Sequence, residues 1–230
     1  MDHRLRPGAL SVPLRVDPGP VRTAGATAPG APVLVLLHGY GSHEGDLLGL
    51  APSLPRELAL VAPRGPLRGG PGYAWAPLAT PGRPDPAAVR DAADALLTWL
   101  DGAVDPARPL ALLGFSQGGL LATQVLRARP GRITAAVVLS GFALDAEEPG
   151  DAELAGLRVP VLFGHGDADT VIPADATART AAWLARHTAA EHHTYPGLGH
   201  GIGRDGLADV AAFLERTVVA GTGARGGKTA

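Results

Sequence analysis

The chain has 230 residues, of which 46% are hydrophobic and 18% are charged. This length and composition suit one domain with a large core and exclude an intrinsically disordered chain. With 20 Lys and Arg against 22 Asp and Glu, the net charge is −2, which does not indicate a nucleic-acid surface or a polybasic membrane patch.

Apolar runs of strand length alternate along the chain with segments of helical periodicity. In chain order, the sequence predicts strands at 33–37 and 58–62, a helix at 87–104, a strand at 110–113, a helix at 116–129, strands at 135–139 and 159–163, a helix at 174–187, a weaker strand at 191–195 and a helix at 206–219. Such an alternation is typical of a mostly parallel sheet with helices on both faces. We therefore predict an α/β fold.

The segments between these elements indicate the domain organisation. Residues 63–86 are rich in Gly and Pro and are predicted as an irregular loop. Residues 140–159 are too few for a large helical cap domain over the sheet. Since the chain has no internal repeat and no dividing linker, we predict a single domain at 1–220, followed by a flexible tail at 221–230.

A tight turn joins the predicted strand at 110–113 to the helix that follows it. Its sequence, Gly114-Phe115-Ser116-Gln117-Gly118, has the Gly-x-Ser-x-Gly pattern of a nucleophile elbow. In that elbow, a strained backbone projects the serine hydroxyl into a cleft, and a Cβ on either glycine would clash. The alternative is an ordinary Gly-rich turn, but the strand before it and the helix after it favour Ser116 as a nucleophile.

A serine hydroxyl needs a base to remove its proton, and in this architecture the acid and then the histidine follow the serine along the chain. Five histidines follow Ser116, namely His165, His187, His192, His193 and His200. The first directly ends a strand, the second lies in a predicted helix, and the next two lie in the weak last strand. His200 lies in a Gly-rich loop between the last strand and the last helix, so we predict it as the base.

The acid is expected in the loop after the strand at 159–163, which contains Asp167 and Asp169. We favour Asp169, because Asp167 is closer to the strand end and suits an Asx turn that binds loop N–H groups. His165 and the two aspartates could also be read as metal ligands, but no second pair of histidines has ligand spacing. We therefore predict no metal site.

An oxyanion hole needs two backbone N–H donors. One is expected from Gln117, the residue after the nucleophile, and the other from Tyr40 in the loop His38-Gly39-Tyr40-Gly41-Ser42. His38 precedes Ser116 in the chain, which is the wrong order for the base, so we assign it a structural role in shaping this loop.

Several segments together carry a family resemblance. They are LLHGYGSHEGDLLGLAPSLP, APRGP, GYAW, LLGFSQGG, LSGF, GHGDADTVIP and YPGLGHGI. Over about residues 33 to 213, the chain resembles the phospholipase/carboxylesterase family of α/β-hydrolases, relatives of the acyl-protein thioesterases. The resemblance implies an α/β-hydrolase fold and hydrolysis of carboxylic esters, or of thioesters, by Ser116, Asp169 and His200 through an acyl-enzyme. It also implies that Tyr40 and Gln117 are the oxyanion donors and that no cofactor is needed.

The substrate pocket is the part of the site where the sequence departs from this family. Trp75 is followed by Ala76, where relatives often have a second aromatic residue. We expect Trp75, Leu78 and Phe142 to line a fairly open cleft that prefers short to medium acyl chains, although plain packing explains these three residues equally well. Acyl transfer or perhydrolysis through the same acyl-enzyme remains an alternative, as does a non-catalytic binding protein. A binding protein would usually have lost a triad residue, and none is lost here.

The absence of cysteine excludes disulfides and a thiol nucleophile. The first residues lack the apolar core of a signal peptide, and no apolar run is long enough to span a membrane. We therefore predict a cytoplasmic protein with no stable membrane anchor and no nucleic-acid partner. Its expected partner is a small-molecule ester or thioester, and the sequence leaves a homodimer open.

Overall fold

A computed structural model describes residues 20–78, 80 and 82–220. The strands are β1 (Arg22–Gly25), β2 (Val33–Leu37), β3 (Ala59–Ala62), β4 (Leu67–Gly69), β5 (Gly72–Ala74), β6 (Leu110–Phe115), β7 (Ala135–Leu139), β8 (Pro160–Gly166) and β9 (Ala189–Tyr195). The α-helices are α1 (Pro86–Ala103), α2 (Gln117–Ala128), α3 (Asp151–Leu157), α4 (Ala174–His187) and α5 (Arg204–Leu214). Two 3₁₀ turns, Leu47–Ser53 and Pro130–Arg132, and a π-helical turn, Glu215–Val219, complete the list.

Seven strands form the central sheet, in the order β1-β3-β2-β6-β7-β8-β9. Every neighbouring pair is parallel except β1 and β3, which are antiparallel. The five residues of β2 and the five of β7 are all buried, as expected for strands covered on both faces. The predicted mostly parallel α/β sheet is therefore confirmed.

Alternate side chains of β2 pack into two different cores. Val33, Val35 and Leu37 of β2 belong to the core formed with α1, α2 and α4. Leu34 and Leu36 belong to the opposite core, formed with α5 and the first 3₁₀ turn. Helices therefore cover both faces of the sheet, as the sequence predicts.

Helix α1 illustrates how the sequence sets the helix boundaries. The Asp85 carboxylate accepts a hydrogen bond from the N–H of Ala87 at 3.0 Å, and Pro86 occupies the first turn, where its missing N–H is not needed. The predicted apolar stripe is buried, and it comprises Val89, Ala93, Leu96, Leu97 and Leu100.

Several elements were not expected from the sequence, namely β1, the β4–β5 hairpin, α3 and both 3₁₀ turns. Strand β1 has the sequence RTAG and is mostly exposed, so it carries no apolar pattern and forms by pairing with the edge of β3. The β4–β5 hairpin lies within the loop predicted at 63–86.

Only the seven-residue helix α3 stands between β7 and β8, and the prediction of no large cap domain is therefore confirmed. Within the described ranges, no helix is long and apolar enough to cross a membrane. The predicted tail at 221–230 and the first 19 residues of the predicted domain lie outside the described residues.

Candidate active site

Ser116 sits at the junction of β6 and α2 with a strained backbone, φ 53° and ψ −115°. A Cβ added to Gly114 would overlap the carbonyl oxygen of Gly118, and one added to Gly118 would overlap that of Leu37. The N–H of Ser116 donates to the carbonyl oxygen of Leu139 at the end of β7, at 2.9 Å. The turn therefore has the strain and the close backbone packing that the Gly-x-Ser-x-Gly pattern predicts.

The structure brings Ser116, His200 and Asp169 together. His200 Nε2 lies 3.0 Å from Ser116 Oγ, and His200 Nδ1 lies 2.8 Å from Asp169 Oδ2. An ionised carboxylate can only accept, so Nδ1 carries the hydrogen, which leaves Nε2 free to accept the hydrogen of the serine hydroxyl. The His200 side chain is 19% exposed and that of Asp169 only 6%, so the base can reach solvent while its carboxylate partner is buried.

Both carboxylate oxygens of Asp169 accept hydrogen bonds, and these bonds fix the position of the side chain. Oδ1 accepts from the N–H groups of Val171 and Ile172 at 2.8 and 3.1 Å, while Oδ2 faces His200. Burial acts to raise the pKa of Asp169, but the hydrogen bonds from His200 and these N–H groups outweigh it and keep the pKa below its usual value. Asp169 therefore stays ionised and keeps one orientation.

Asp167 lies apart from this arrangement. We expected it to form an Asx turn, but Asp169 makes the local bonds of that kind, while Asp167 Oδ1 accepts from the N–H of Gly197 at 2.6 Å. Gly197 belongs to the loop that carries His200 and has φ 71°. The physical reason is the parallel pairing of β8 with β9, which brings the loops after these strands side by side. Asp167 thus ties the aspartate loop to the histidine loop.

The other histidines after Ser116 have different partners. His165 Nδ1 lies 3.2 Å from His192 Nε2, His187 Nδ1 lies 2.8 Å from the carbonyl oxygen of Trp183, and His193 Nδ1 lies 3.1 Å from Asp209. Burial lowers the pKa of His165 and of His192. In the part of the chain that the structure describes, no three His, Asp or Glu side chains are grouped so as to hold a metal ion.

The loop after β2 lies directly against the nucleophile. A Cβ added to Gly39 would be 3.5 Å from Cβ of Ser116 and 3.2 Å from Cδ1 of Phe115. The next residue, Tyr40, has no acceptor for its N–H among the described residues. Gln117 is the first residue of α2, so its N–H has no acceptor one turn earlier in the helix. Both N–H groups suit a binding site for a negative charge that forms next to Ser116.

Nearly all of the described chain matches a known protein family. The model of the phospholipase/carboxylesterase family matches residues 21–218. The chain belongs to the phospholipase/carboxylesterase family. Members of this family are serine hydrolases, and the resemblance inferred from the sequence motifs is confirmed.

The chain is also similar to individual named proteins. Acyl-protein thioesterase 1 of Debaryomyces hansenii is 25% identical over 221 residues, which cover 85% of this chain and 95% of that protein. Acyl-protein thioesterase 1 of Mycosarcoma maydis is 33% identical over 132 residues, a match that spans only about half of that protein, 53%. The carboxylesterase from Mesorhizobium loti is 24% identical, with a TM-score of 0.73 over 85% of this chain and 93% of that chain. This structural likeness confirms the α/β-hydrolase fold.

The residues expected to line the substrate pocket differ in how far their side chains are exposed. The side chain of Trp75 is buried, at 1% exposed, and its Nε1–H donates to the carbonyl oxygen of His38 at 2.8 Å. Trp75 is therefore a packing residue and does not line an open cleft, because the indole is fully covered by the core. Ala76 is also buried, at 2% exposed. Leu78 is 39% exposed, and Phe142 packs against buried apolar side chains that include Leu120 and Ile172.

Two sets of contacts from side chains to the backbone support this site, and the first of them was missed from the sequence. The carboxamide of Gln117 binds the backbone of Trp75 and Ala76, and the ring of His38 binds the backbone of Gly39 and Gly65. The expectation that His38 shapes its loop agrees with these bonds. No sequence pattern could have indicated the Gln117 contacts, since the partners are more than 40 residues apart.

Proposed function

We propose that the chain is a carboxylesterase-type serine hydrolase in which Ser116 is the nucleophile, His200 the general base and Asp169 the residue that orients the base. The observation that carries this proposal is the arrangement of Ser116 Oγ, 3.0 Å from His200 Nε2, with His200 Nδ1 2.8 Å from Asp169. Family membership supports the same reaction class.

In the first half of the reaction, His200 Nε2 takes the hydroxyl proton while Ser116 Oγ attacks the carbonyl carbon of the ester. Asp169 holds the hydrogen on Nδ1 and stabilises the imidazolium that forms. The oxyanion of the tetrahedral intermediate accepts hydrogen bonds from the N–H groups of Tyr40 and Gln117. His200 then protonates the leaving alcohol or thiol, and the acyl group remains on Ser116.

In the second half, water takes the place of the leaving group. His200 removes a proton from the water as it attacks the acyl-enzyme, and the same two N–H groups receive the second oxyanion. Collapse of this intermediate releases the carboxylic acid and returns the proton to Ser116. None of these steps needs a metal or an organic cofactor.

We infer that the substrates are esters or thioesters with short to medium acyl chains. The small size of α3, the one helix between β7 and β8, supports an open cleft without a long covered acyl tunnel. Leu78, at 39% exposed, is the expected apolar contact for the acyl chain, and Phe142 is expected to support it from below. Because acyl-protein thioesterases are among the relatives, acyl thioesters are suitable test substrates alongside esters.

The test of this function uses p-nitrophenyl esters and acyl thioesters of increasing chain length, with the wild type and with Ser116→Ala. Losing the serine of a comparable triad costs on the order of 10⁶ in turnover. We expect a fluorophosphonate to label Ser116 and EDTA to leave the rate unchanged. A Ser116→Ala variant that keeps more than about a thousandth of wild-type hydrolysis would contradict the proposal. Preferred transfer of the acyl group to an added alcohol or to hydrogen peroxide would instead indicate the acyltransferase or perhydrolase alternative.

A further inference from the structure

The side chain of Gln117 is buried and makes two hydrogen bonds to one segment of the chain. It is 6% exposed, its Oε1 accepts from the N–H of Trp75 at 2.8 Å, and its Nε2 donates to the carbonyl oxygen of Ala76 at 2.7 Å. The backbone N–H of this same residue is one of the two proposed oxyanion donors. The carboxamide therefore ties one side of the oxyanion hole to the segment at residues 75–76.

The same segment is bonded to the other side of the hole. Trp75 Nε1–H donates to the carbonyl oxygen of His38 at 2.8 Å, and the indole and imidazole rings lie 5.0 Å apart. His38 Nε2 accepts from the N–H of Gly65 at 3.0 Å, so its hydrogen must be on Nδ1, which donates to the carbonyl oxygen of Gly39 at 2.7 Å. Burial lowers the pKa of His38, which favours this neutral form.

The bond to Gly39 bears directly on the direction of the Tyr40 N–H. The carbonyl of Gly39 and the N–H of Tyr40 belong to one peptide plane, and in a trans peptide the two groups point in opposite directions. Fixing the carbonyl oxygen of Gly39 therefore fixes the line along which the Tyr40 N–H points. This N–H has no acceptor of its own among the described residues, so its orientation depends on the bonds to the Gly39 carbonyl oxygen. The ring of His38 makes the shorter of these, at 2.7 Å, and the N–H of Ser42 donates to the same oxygen at 3.3 Å.

We propose that Gln117, Trp75 and His38 form a buried hydrogen-bonded brace that holds the two oxyanion donors, the N–H groups of Tyr40 and Gln117, at a fixed separation and direction. The three are positioning residues, because their side chains act on the donors and do not touch the substrate. This proposal rests on the proposed esterase function and adds to it the means by which the hole is preformed. A preformed hole stabilises the oxyanion without reorganising during the reaction, so disturbing it lowers kcat more than it changes KM.

The experiment compares two brace variants with two matched controls. Gln117→Met removes both carboxamide bonds at similar volume, and Trp75→Phe removes the indole N–H while it keeps an aromatic ring in the core. The controls are Gln124→Met, a buried glutamine of the same helix, and Trp183→Phe, a buried tryptophan whose Nε1 lies 3.3 Å from Asp151. Circular dichroism and thermal midpoints identify variants that are folded at the assay temperature.

The readouts are kcat and KM for p-nitrophenyl acetate and the Ki of a trifluoromethyl ketone, which forms a hemiketal oxyanion on the serine. For each brace variant we expect kcat to fall by about 10- to 100-fold, because the donor is displaced and not removed, and KM to change far less. The Ki should rise by a similar factor, because the inhibitor binds less tightly. The pH profile of the activity should keep its wild-type shape, because His200 and Asp169 are intact. The double variant should cost much less than the product of the single effects, since both changes act on one network.

The outcomes separate this inference from the proposed function. Wild-type protein without Ser116-dependent turnover overturns the proposed function and the brace together. An active wild type with folded brace variants whose kcat and Ki match those of the controls overturns the brace alone. Losses that appear in KM and not in kcat also overturn it, because they indicate altered substrate binding and not a displaced oxyanion hole.

Discussion

Substitution of Asp by Asn is expected to have different effects on activity at Asp169 and Asp167, the two aspartates of the loop after β8. In Asp169→Asn, the N–H groups of Val171 and Ile172 still require an oxygen at the Oδ1 position, where they lie at 2.8 and 3.1 Å. The amide nitrogen therefore takes the other position, 2.8 Å from His200 Nδ1. Because this nitrogen donates, Nδ1 must accept and the imidazole hydrogen moves to Nε2.

An imidazole with its hydrogen on Nε2 cannot take the proton of Ser116. The comparable change in a serine protease of another fold costs about 10⁴ in kcat, and we expect Asp169→Asn to lower kcat/KM by about 10³ to 10⁴. The backbone bonds to Oδ1 are kept, so the fold should be preserved.

Asp167→Asn is the matched control, since it makes the same chemical change two residues away. The asparagine oxygen can still accept from the N–H of Gly197, now without the negative charge that strengthens the 2.6 Å bond. We expect a loss of about 1 kcal/mol in the free energy of unfolding, which is about 2–4 °C in Tm for a chain of this size. The value of kcat/KM should be largely kept.

The assay measures kcat/KM for one p-nitrophenyl ester and the thermal midpoint for both variants side by side. A catalytically inactive Asp167→Asn with an active Asp169→Asn would refute the assignment of the acid. Equal activity losses in both variants would refute the argument from the Oδ1 bonds, because a general disturbance of the loop would then explain both.

Three further predictions concern packing and buried charge. Gly118→Ala should leave little folded, active enzyme, because its Cβ would overlap the carbonyl oxygen of Leu37. The control Gly102→Ala in α1 places its Cβ in open space, with no atom within 4 Å, and should raise Tm slightly. Thermal melts of both variants test this. Arg127→Leu should lower the free energy of unfolding in urea by about 3–5 kcal/mol, because it removes the guanidinium that lies 2.7 Å from the Asp151 carboxylate. A loss below about 1 kcal/mol would contradict this. Hydrogen bonding to Arg64 lowers the pKa of Glu44 from 4.5 to about 2. The ionised Glu44 therefore stabilises the fold above pH 4.5, and this contribution is lost as the pH falls towards 2. Glu44→Gln should lower Tm at pH 7 but not near pH 2.

The sequence predicts those parts of the molecule whose signals are local. Strands β2 and β7 are apolar at every position because both faces of the sheet are covered, and this pattern is visible without any tertiary information. The sequence pattern of the turn at Ser116 is equally local, and Gly114 is required by a contact within the turn, with the carbonyl oxygen of Gly118. Gly118 itself is required by the carbonyl oxygen of Leu37 at the end of β2. Such elements can be predicted to within a few residues.

Elements that form through distant partners could not be predicted in this way. Strand β1 is stabilised by its pairing with β3, and residues 63–86 contain a hairpin whose Tyr73 forms an isolated bridge with Ser42. Trp75 follows this hairpin in the predicted loop at 63–86, and we expected it to line the cleft. Its burial depends on the carbonyl oxygen of His38 and on the core side chains around it, none of which is near Trp75 in the sequence.

The topology of the sheet explains why the sequence indicates where the candidate catalytic groups lie but not which way the expected pocket residues face. Tyr40, Ser116, Asp169 and His200 follow β2, β6, β8 and β9, and these strands are parallel, so their carboxyl ends meet along one edge of the sheet. Strand order and loop position alone therefore bring the four residues to one place. Leu78 follows the β4–β5 hairpin and Phe142 lies between β7 and α3, where no sheet register fixes the direction of a side chain. Whether such a residue faces the cleft or the core depends on packing against distant helices, and the sequence of the loop itself does not contain that information.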